Sequence, residues 1–159
     1  MDTNATNHRR LQNEVRNLKN KAYEYEKMFK IIMVGDDMYH WTVTMYGPES
    51  SLYEESQFEL DIILPVDYPF SAPRVKFISP ILHVNVNNKG DICLNILKND
   101  WAASLSIISV MVSIHALLAS PNPDDPFNSE LAQLYRSDKN TYEKQVRNFC
   151  LENNTSMKQ

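Results

Sequence analysis

The sequence predicts one α+β domain: an N-terminal helix, a four-stranded antiparallel meander, a long irregular loop, a central buried helix and two C-terminal helices. Three observations carry that expectation. Leu11, Val15, Leu18 and Ala22 recur at helical spacing near the start. Short runs of period-2 alternation follow, separated by tight turn signals. The apolar run Ile107–Ala119 is then bounded by Ser106 on one side and Ser120-Pro121-Asn122-Pro123 on the other. At 159 residues the chain has room for one domain and hardly for two. A chain of this size buries roughly two-thirds of its unfolded surface, so it needs no disulfide or metal to hold it.

The first helix interleaves its apolar stripe with Arg9, Arg10, Glu14, Arg16, Lys19 and Lys21, a mostly positive face on a chain whose net charge is −4. That face reads either as a solvated surface or as a dock for an acidic partner. Lys30 to Val34 is a short β-rich run, and Gly35-Asp36-Asp37 turns the chain. Tyr39, Trp41, Val43 and Met45 alternate with polar neighbours, Gly47-Pro48 breaks the pattern, and Phe58, Leu60, Ile62 and Leu64 resume it. A loop with Pro65, Pro69 and Pro73 leads to a short strand around Val75 and Phe77. Connections this short favour a sequential meander. From 79 to 104 the regular pattern stops, and a loop of that length in a compact domain is usually functional. Ser106 can cap the apolar helix over Ile107–Ala119, and two shorter helices follow near 129–135 and 139–151. The second of these puts Tyr142, Val146, Phe149 and Cys150 on one face.

Composition excludes several classes. With 16 basic against 20 acidic residues the chain lacks the basic surface of a general nucleic-acid binder, and no run is long enough for a membrane span. Three glycines (Gly35, Gly47, Gly90) are too few and scattered for a phosphate-cradling loop. Neither the two cysteines nor the four histidines have zinc-site spacing, so no metal is expected. The polar start and Lys-Gln end lack a secretory core and a lipidation box, which suggests the cytoplasm, the nucleus or both.

Chemistry concentrates in the long loop. Cys150 shares the apolar face of the last helix and reads as core. Cys93 lies in Asn88-Lys89-Gly90-Asp91-Ile92-Cys93-Leu94-Asn95, just after a glycine that permits a tight turn. It is either a nucleophile or a half-buried thiol. Leu82-His83-Val84-Asn85 upstream admits a thiol-hydrolase reading, in which His83 activates Cys93 and Asn85 orients the imidazole. The alternative needs no adjacent base: Cys93 carries an acyl group as a thioester and passes it to an amine, with a nearby amide stabilising the oxyanion. His115, in the apolar helix, reads as a packing residue, and His40 sits in a strand opposite the Trp41 face; neither is expected to be functional.

The string His83-Val84-Asn85, Gly90 to Leu97, then Trp101 resembles the active-site loop of ubiquitin-conjugating enzymes. Gly35 to Trp41, Tyr46-Gly47-Pro48 and Tyr53-Glu54 resemble the family's first strands. Pro65 to Phe70 with Pro73 resembles its proline-rich loop, and Pro121 to Pro126 its segment after the central helix. The likeness runs from about Arg9 to Phe149, in order, and is closest to the compact members without a long tail.

The resemblance implies a catalytic core over 9–151, a short extension at 1–8 and a short polar end at 152–159. It implies that a ubiquitin-activating enzyme, using ATP, passes ubiquitin to Cys93, and that the chain then gives it to a substrate lysine or to a ligase cysteine, with no cofactor of its own. Cys93 then matches the thioester cysteine, and Asn85 the residue for the oxyanion or for holding the loop. Asp125 matches the acidic group that orients the incoming lysine, and His83 a structural histidine. Leu97 and Asn122 match groove positions. Phe70 matches the aromatic gripped by RING-type ligases, Arg9 and Arg10 the helix start shared by activating enzyme and ligases, and Trp101-Ala102-Ala103 the second ligase loop.

Departures from the family pattern are Val84 for a proline, Asn95 for an aspartate, Ala102-Ala103 for Ser-Pro, and Lys30 near the family's backside serine, where no ubiquitin binding is expected. Two alternatives follow from them: the same chemistry with another ubiquitin-like modifier, or a non-catalytic binding module of the same fold.

Overall fold

A computed structural model describes residues 3–153. Residues 1, 2 and 154–159, which include most of the expected polar end, lie outside the described residues. Along the chain run α1 (Thr3–Lys21), β1 (Phe29–Val34), β2 (Asp37–Tyr46), β3 (Gln57–Ile63), β4 (Arg74–Phe77), α2 (Ile107–Ala119), α3 (Ser129–Ser137) and α4 (Lys139–Asn153). The strands form an antiparallel sheet in sequence order. α1 starts at Thr3, inside the stretch expected as an N-terminal extension, and stops before Ala22, which is exposed rather than part of the stripe.

Register decides which face of the sheet is buried. Val43 pairs with Leu60, Trp41 with Ile62, and Ile62 with Val75. Because side chains alternate, these residues share one face. That face joins Ile107, Val110, Met111, Ile114 and Leu118 of α2 in one core, with Leu11 from α1 and Tyr142 and Val146 from α4. Burying a residue of this kind stabilises the fold by roughly 1.5–3 kcal/mol. On the opposite face His40 Nε2 lies 2.6 Å from the Asp61 carboxylate, so this histidine serves a hydrogen bond outside the core.

Ser106 caps α2 as expected: its hydroxyl accepts from the Ser109 N–H, and Ser109 returns a bond to the Ser106 N–H. Asn128 does the same for α3 by accepting from the Leu131 N–H. Two of the α2 residues expected to be buried, Val112 and Leu117, are only half-buried. His115, on the same helix, is half-buried with its imidazole pKa lowered by burial and a bond to the Tyr46 backbone opposing.

The 79–104 stretch is more ordered than its pattern suggested. Val86 bridges Ile92, Cys93 donates its N–H to the Asn85 carbonyl at 2.8 Å, and Asn87 to the Asp91 carbonyl at 3.0 Å. The result is a miniature hairpin whose turn is held by the Asn87 carboxamide, which accepts from the Lys89 and Asp91 N–H groups. Gly90 sits in that turn at φ +89, and its carbonyl accepts from the Phe77 N–H at 2.9 Å. A Cβ there would stand 2.0 Å from the Phe77 carbonyl oxygen, so only glycine lets the hairpin dock on the end of β4. A single 3-10 turn, Asn95–Leu97, follows.

Candidate active site

The hairpin carries Cys93 on one limb and His83-Val84-Asn85 leads into the other. His83 and Asn85 are fully buried. The His83 Nδ1 accepts from the Asn85 N–H at 2.9 Å, so Nε2 carries the proton and donates to the Leu117 carbonyl at 2.8 Å. Burial lowers its pKa to about 4, opposed by the Leu117 bond. A neutral imidazole with both nitrogens engaged cannot take a proton from Cys93, which removes the thiol-hydrolase reading. The Tyr53 ring lies 5.7 Å from the imidazole, and its hydroxyl donates to the Leu82 carbonyl at 2.6 Å.

The Asn85 carboxamide joins the hairpin to the segment after α2. Its Nδ2 donates to the carbonyls of Asn122 (2.8 Å) and Asp125 (3.0 Å), and its Oδ1 accepts from the Asn122 N–H at 2.9 Å. Both donors of the amide are therefore committed to backbone, and the oxyanion role implied by the resemblance requires one to be released. Val84 is buried, and its carbonyl accepts from the N–H groups of Phe127 (2.9 Å) and Asn128 (3.0 Å). A proline at 84 would accept the same two bonds, so this backbone clasp to the residues leading into α3 does not depend on the side chain at 84.

Cys93 exposes 5% of its surface, less than a loop nucleophile was expected to show. Two exposed residues, Lys98 and Asp125, flank it. The Lys98 ammonium approaches Sγ at 3.4 Å, and the Asp125 carboxylate also faces the thiol. Desolvation raises the thiol pKa first and Asp125 adds to it, while Lys98 opposes them; the resting group is a protonated thiol at neutral pH. Asn122 is exposed, with its side chain accepting from the Asp124 N–H, and Leu97 is half-buried in the 3-10 turn.

The residues expected at partner surfaces come together from three elements. Phe70 is 64% exposed. Beside it, the Pro69 carbonyl accepts from Trp101 Nε1 at 2.8 Å, which ties the proline loop to the loop bearing exposed Ala102 and half-exposed Ala103. Arg9 is exposed. Arg10, expected at a partner surface, is engaged within the chain: its guanidinium donates to the Ala103 and Leu105 carbonyls and lies over the Tyr68 ring. It shapes this surface from beneath.

Sequence reasoning missed two residues. Glu14, grouped with the solvated charges, is 6% exposed; it accepts from the Tyr68 hydroxyl and from the Ile107 N–H at the start of α2. Its position three residues after Leu11 and four before Leu18 placed it on the buried stripe, and that signal was available. Lys98 had no such signal, because it lies five positions after Cys93, on the far side of the 3-10 turn.

A buried cysteine with no free imidazole beside it, on a hairpin at the end of a four-stranded meander, fits an acyl-carrier enzyme more closely than a hydrolase. The chain belongs to the ubiquitin-conjugating enzyme family: the family model described as "Ubiquitin-conjugating enzyme" matches residues 10–150. It is similar to the probable ubiquitin-conjugating enzyme E2 L460 of Acanthamoeba polyphaga mimivirus, 57% identical over 148 residues, which cover 92% of this chain and 94% of that protein. Among solved structures, the E2 domain of a Toxoplasma gondii ubiquitin-conjugating enzyme matches with TM-score 0.81 and 31% identity, covering 93% of this chain and 99% of that one. The chain is thus a transferase that works through a cysteine thioester, in a pathway with ubiquitin, an activating enzyme and ligases.

Proposed function

We propose that Cys93 holds the C-terminus of ubiquitin as the thioester and that Asp125 receives the lysine that displaces it, under ligases of the RING type. The observation that carries this reading is a single cysteine between the Lys98 ammonium and the Asp125 carboxylate, in a chain of this family. In the first half-reaction the Cys93 thiolate attacks the acyl carbon held by the activating enzyme, and the old C–S bond breaks. In the second, a lysine nitrogen attacks the new thioester. An amine attacks only in its neutral form, and a carboxylate beside the sulfur orients it and accepts its proton. Asn85 acts as a positioning residue, because it holds the backbone of both the Cys93 limb and Asp125. RING-type recognition is supported by exposed Phe70 beside the Trp101 loop.

The test charges the protein with activating enzyme, ubiquitin and ATP and resolves the products on a non-reducing gel. A thiol-labile adduct lost in Cys93→Ala is expected; an adduct that survives this change would move the thioester elsewhere. Phe70→Ala should leave charging intact and slow RING-stimulated discharge to lysine at least tenfold. Equal stimulation of both forms would remove Phe70 from the ligase surface.

A further inference from the structure

Lys98 is engaged by three neighbours, and the reading above gives it no role. Its backbone N–H donates to the Asn95 carbonyl at 2.9 Å, which closes the 3-10 turn. Its ammonium lies 5.0 Å from the centre of the Phe127 ring and 3.4 Å from the Cys93 sulfur. The Phe127 backbone is itself fastened to the Val84 carbonyl. A cation over an aromatic face is held there by the ring quadrupole, which fixes an otherwise flexible side chain. Here that anchoring leaves the charge against the reacting atom.

We propose that Lys98 is a catalytic residue of the charging half-reaction alone: its ammonium group pairs with the Cys93 thiolate that attacks the acyl donor, and loses that partner once the sulfur is acylated. The inference rests on the reading of Cys93 as the acyl carrier. The charged groups facing the sulfur are Lys98, from the segment after the 3-10 turn, and Asp125, from the segment after α2. They push in opposite directions. Without Lys98 the thiolate would form beside a carboxylate and a desolvated hairpin, an arrangement that disfavours negative charge. With it, the thiol proton leaves to water, Sγ⁻ forms a bond to the acyl carbon, the donor cysteine departs as a thiolate, and that thiolate takes up a proton. The new thioester sulfur is neutral, so the attraction on Lys98 disappears while Asp125 keeps its place for the incoming lysine. The two charges therefore divide the half-reactions between them.

The test compares wild type, Lys98→Met and Lys98→Arg in three measurements. The first is alkylation of Cys93 by iodoacetamide from pH 6 to 11.5, with Cys150→Ser as the common background, because this reads the thiolate directly. Lys98→Met should alkylate about tenfold more slowly at pH 7.5, with its midpoint moved to higher pH, as expected for roughly one pKa unit. Lys98→Arg should restore the rate to within about threefold. The second is single-turnover charging, which should follow the same order. The third is discharge of the purified thioester to free lysine, which should stay within twofold of wild type. An unchanged alkylation midpoint in Lys98→Met overturns the proposal, and so does a loss in discharge as large as the loss in charging. Should wild type fail to charge at all, the acyl-carrier reading fails, while the alkylation profile still reports on Lys98 by itself.

Discussion

The floor of the site and its rim treat polar groups in opposite ways. On the floor, His83 and Asn85 are fully buried, and between them they make hydrogen bonds to the backbone at Leu117, Asn122 and Asp125. At the rim, Lys98 and Asp125 are exposed and face one thiol. A buried polar group is costly unless satisfied, so the floor is rigid and its residues are neutral or fully bonded. The rim keeps unspent charge beside the sulfur, where a reaction can use it. Residue types would not have separated the two regions; how fully each group is bonded does.

The comparison is most exposed to pH. An unfolded histidine takes a proton near 6.5, and folded His83 only near about 4. Between these values the unfolded chain binds the extra proton, so stability rises with pH through this window and flattens above it. The difference of about 2.5 units corresponds to roughly 3 kcal/mol, and chemical denaturation at pH 4, 5, 6 and 7 should show a loss approaching it on acidification. His83→Gln should be less stable at pH 7 and flatter in this range; a parallel slope would place the sensitivity elsewhere.

Asn85→Ala should come next. It removes three hydrogen bonds and strands their backbone partners, for about 2–3 kcal/mol of stability in urea unfolding. Because Asn85 seats the backbone of Asp125, the double variant Asn85→Ala/Asp125→Ala should lose little more lysine discharge than the worse single variant. Additive losses would instead give the Asn85 amide its own role at the oxyanion.

Asp125→Asn should leave unfolding within about 0.5 kcal/mol of wild type, as a rim residue does. Lysine discharge at pH 7 should fall at least tenfold, the lower part of the range for acid–base assistance, and recover toward pH 9.5, where more lysine is neutral. A loss that stays constant with pH would leave Asp125 as a shape element only.

The smallest effect belongs to Cys150→Ser. That thiol is also raised by burial, with the Ser56 hydroxyl opposing, yet no charged group is among the causes of its shift. Charging should be unchanged and stability lower by about 1 kcal/mol or less. A measurable drop in the charging rate would blur the distinction between the two cysteines.

Much of this was legible in the chain. The Ser106 cap and the Ile107–Ala119 helix could be read because a hydroxyl before an apolar run and a proline pair after it leave few alternatives. The meander was legible because period-2 alternation and short turns restrict strand order. Cys93, Asn85 and Asp125 were found through a resemblance, while their bonding was not, since 37 and 40 residues separate Asn85 from its amide partners. Glu14 was misjudged, and the bonding of Arg10 unseen, for a related reason: spacing along a helix indicates a face, but the carbonyls, the hydroxyl and the helix start that meet that face come from segments 54 to 95 residues further on. Lys98 was illegible because its reach depends on where Phe127 lies.

The miniature hairpin meets the end of β4 through Asp91, bridged to Lys76, and through Gly90, which has no side chain. Alanine at Gly90 would have to part the two backbones, and Cys93, three positions downstream, would travel with the displaced limb. The aim of the nucleophile is thus mortgaged to a hydrogen atom on the far side of the turn, where any larger substituent would meet the Phe77 carbonyl.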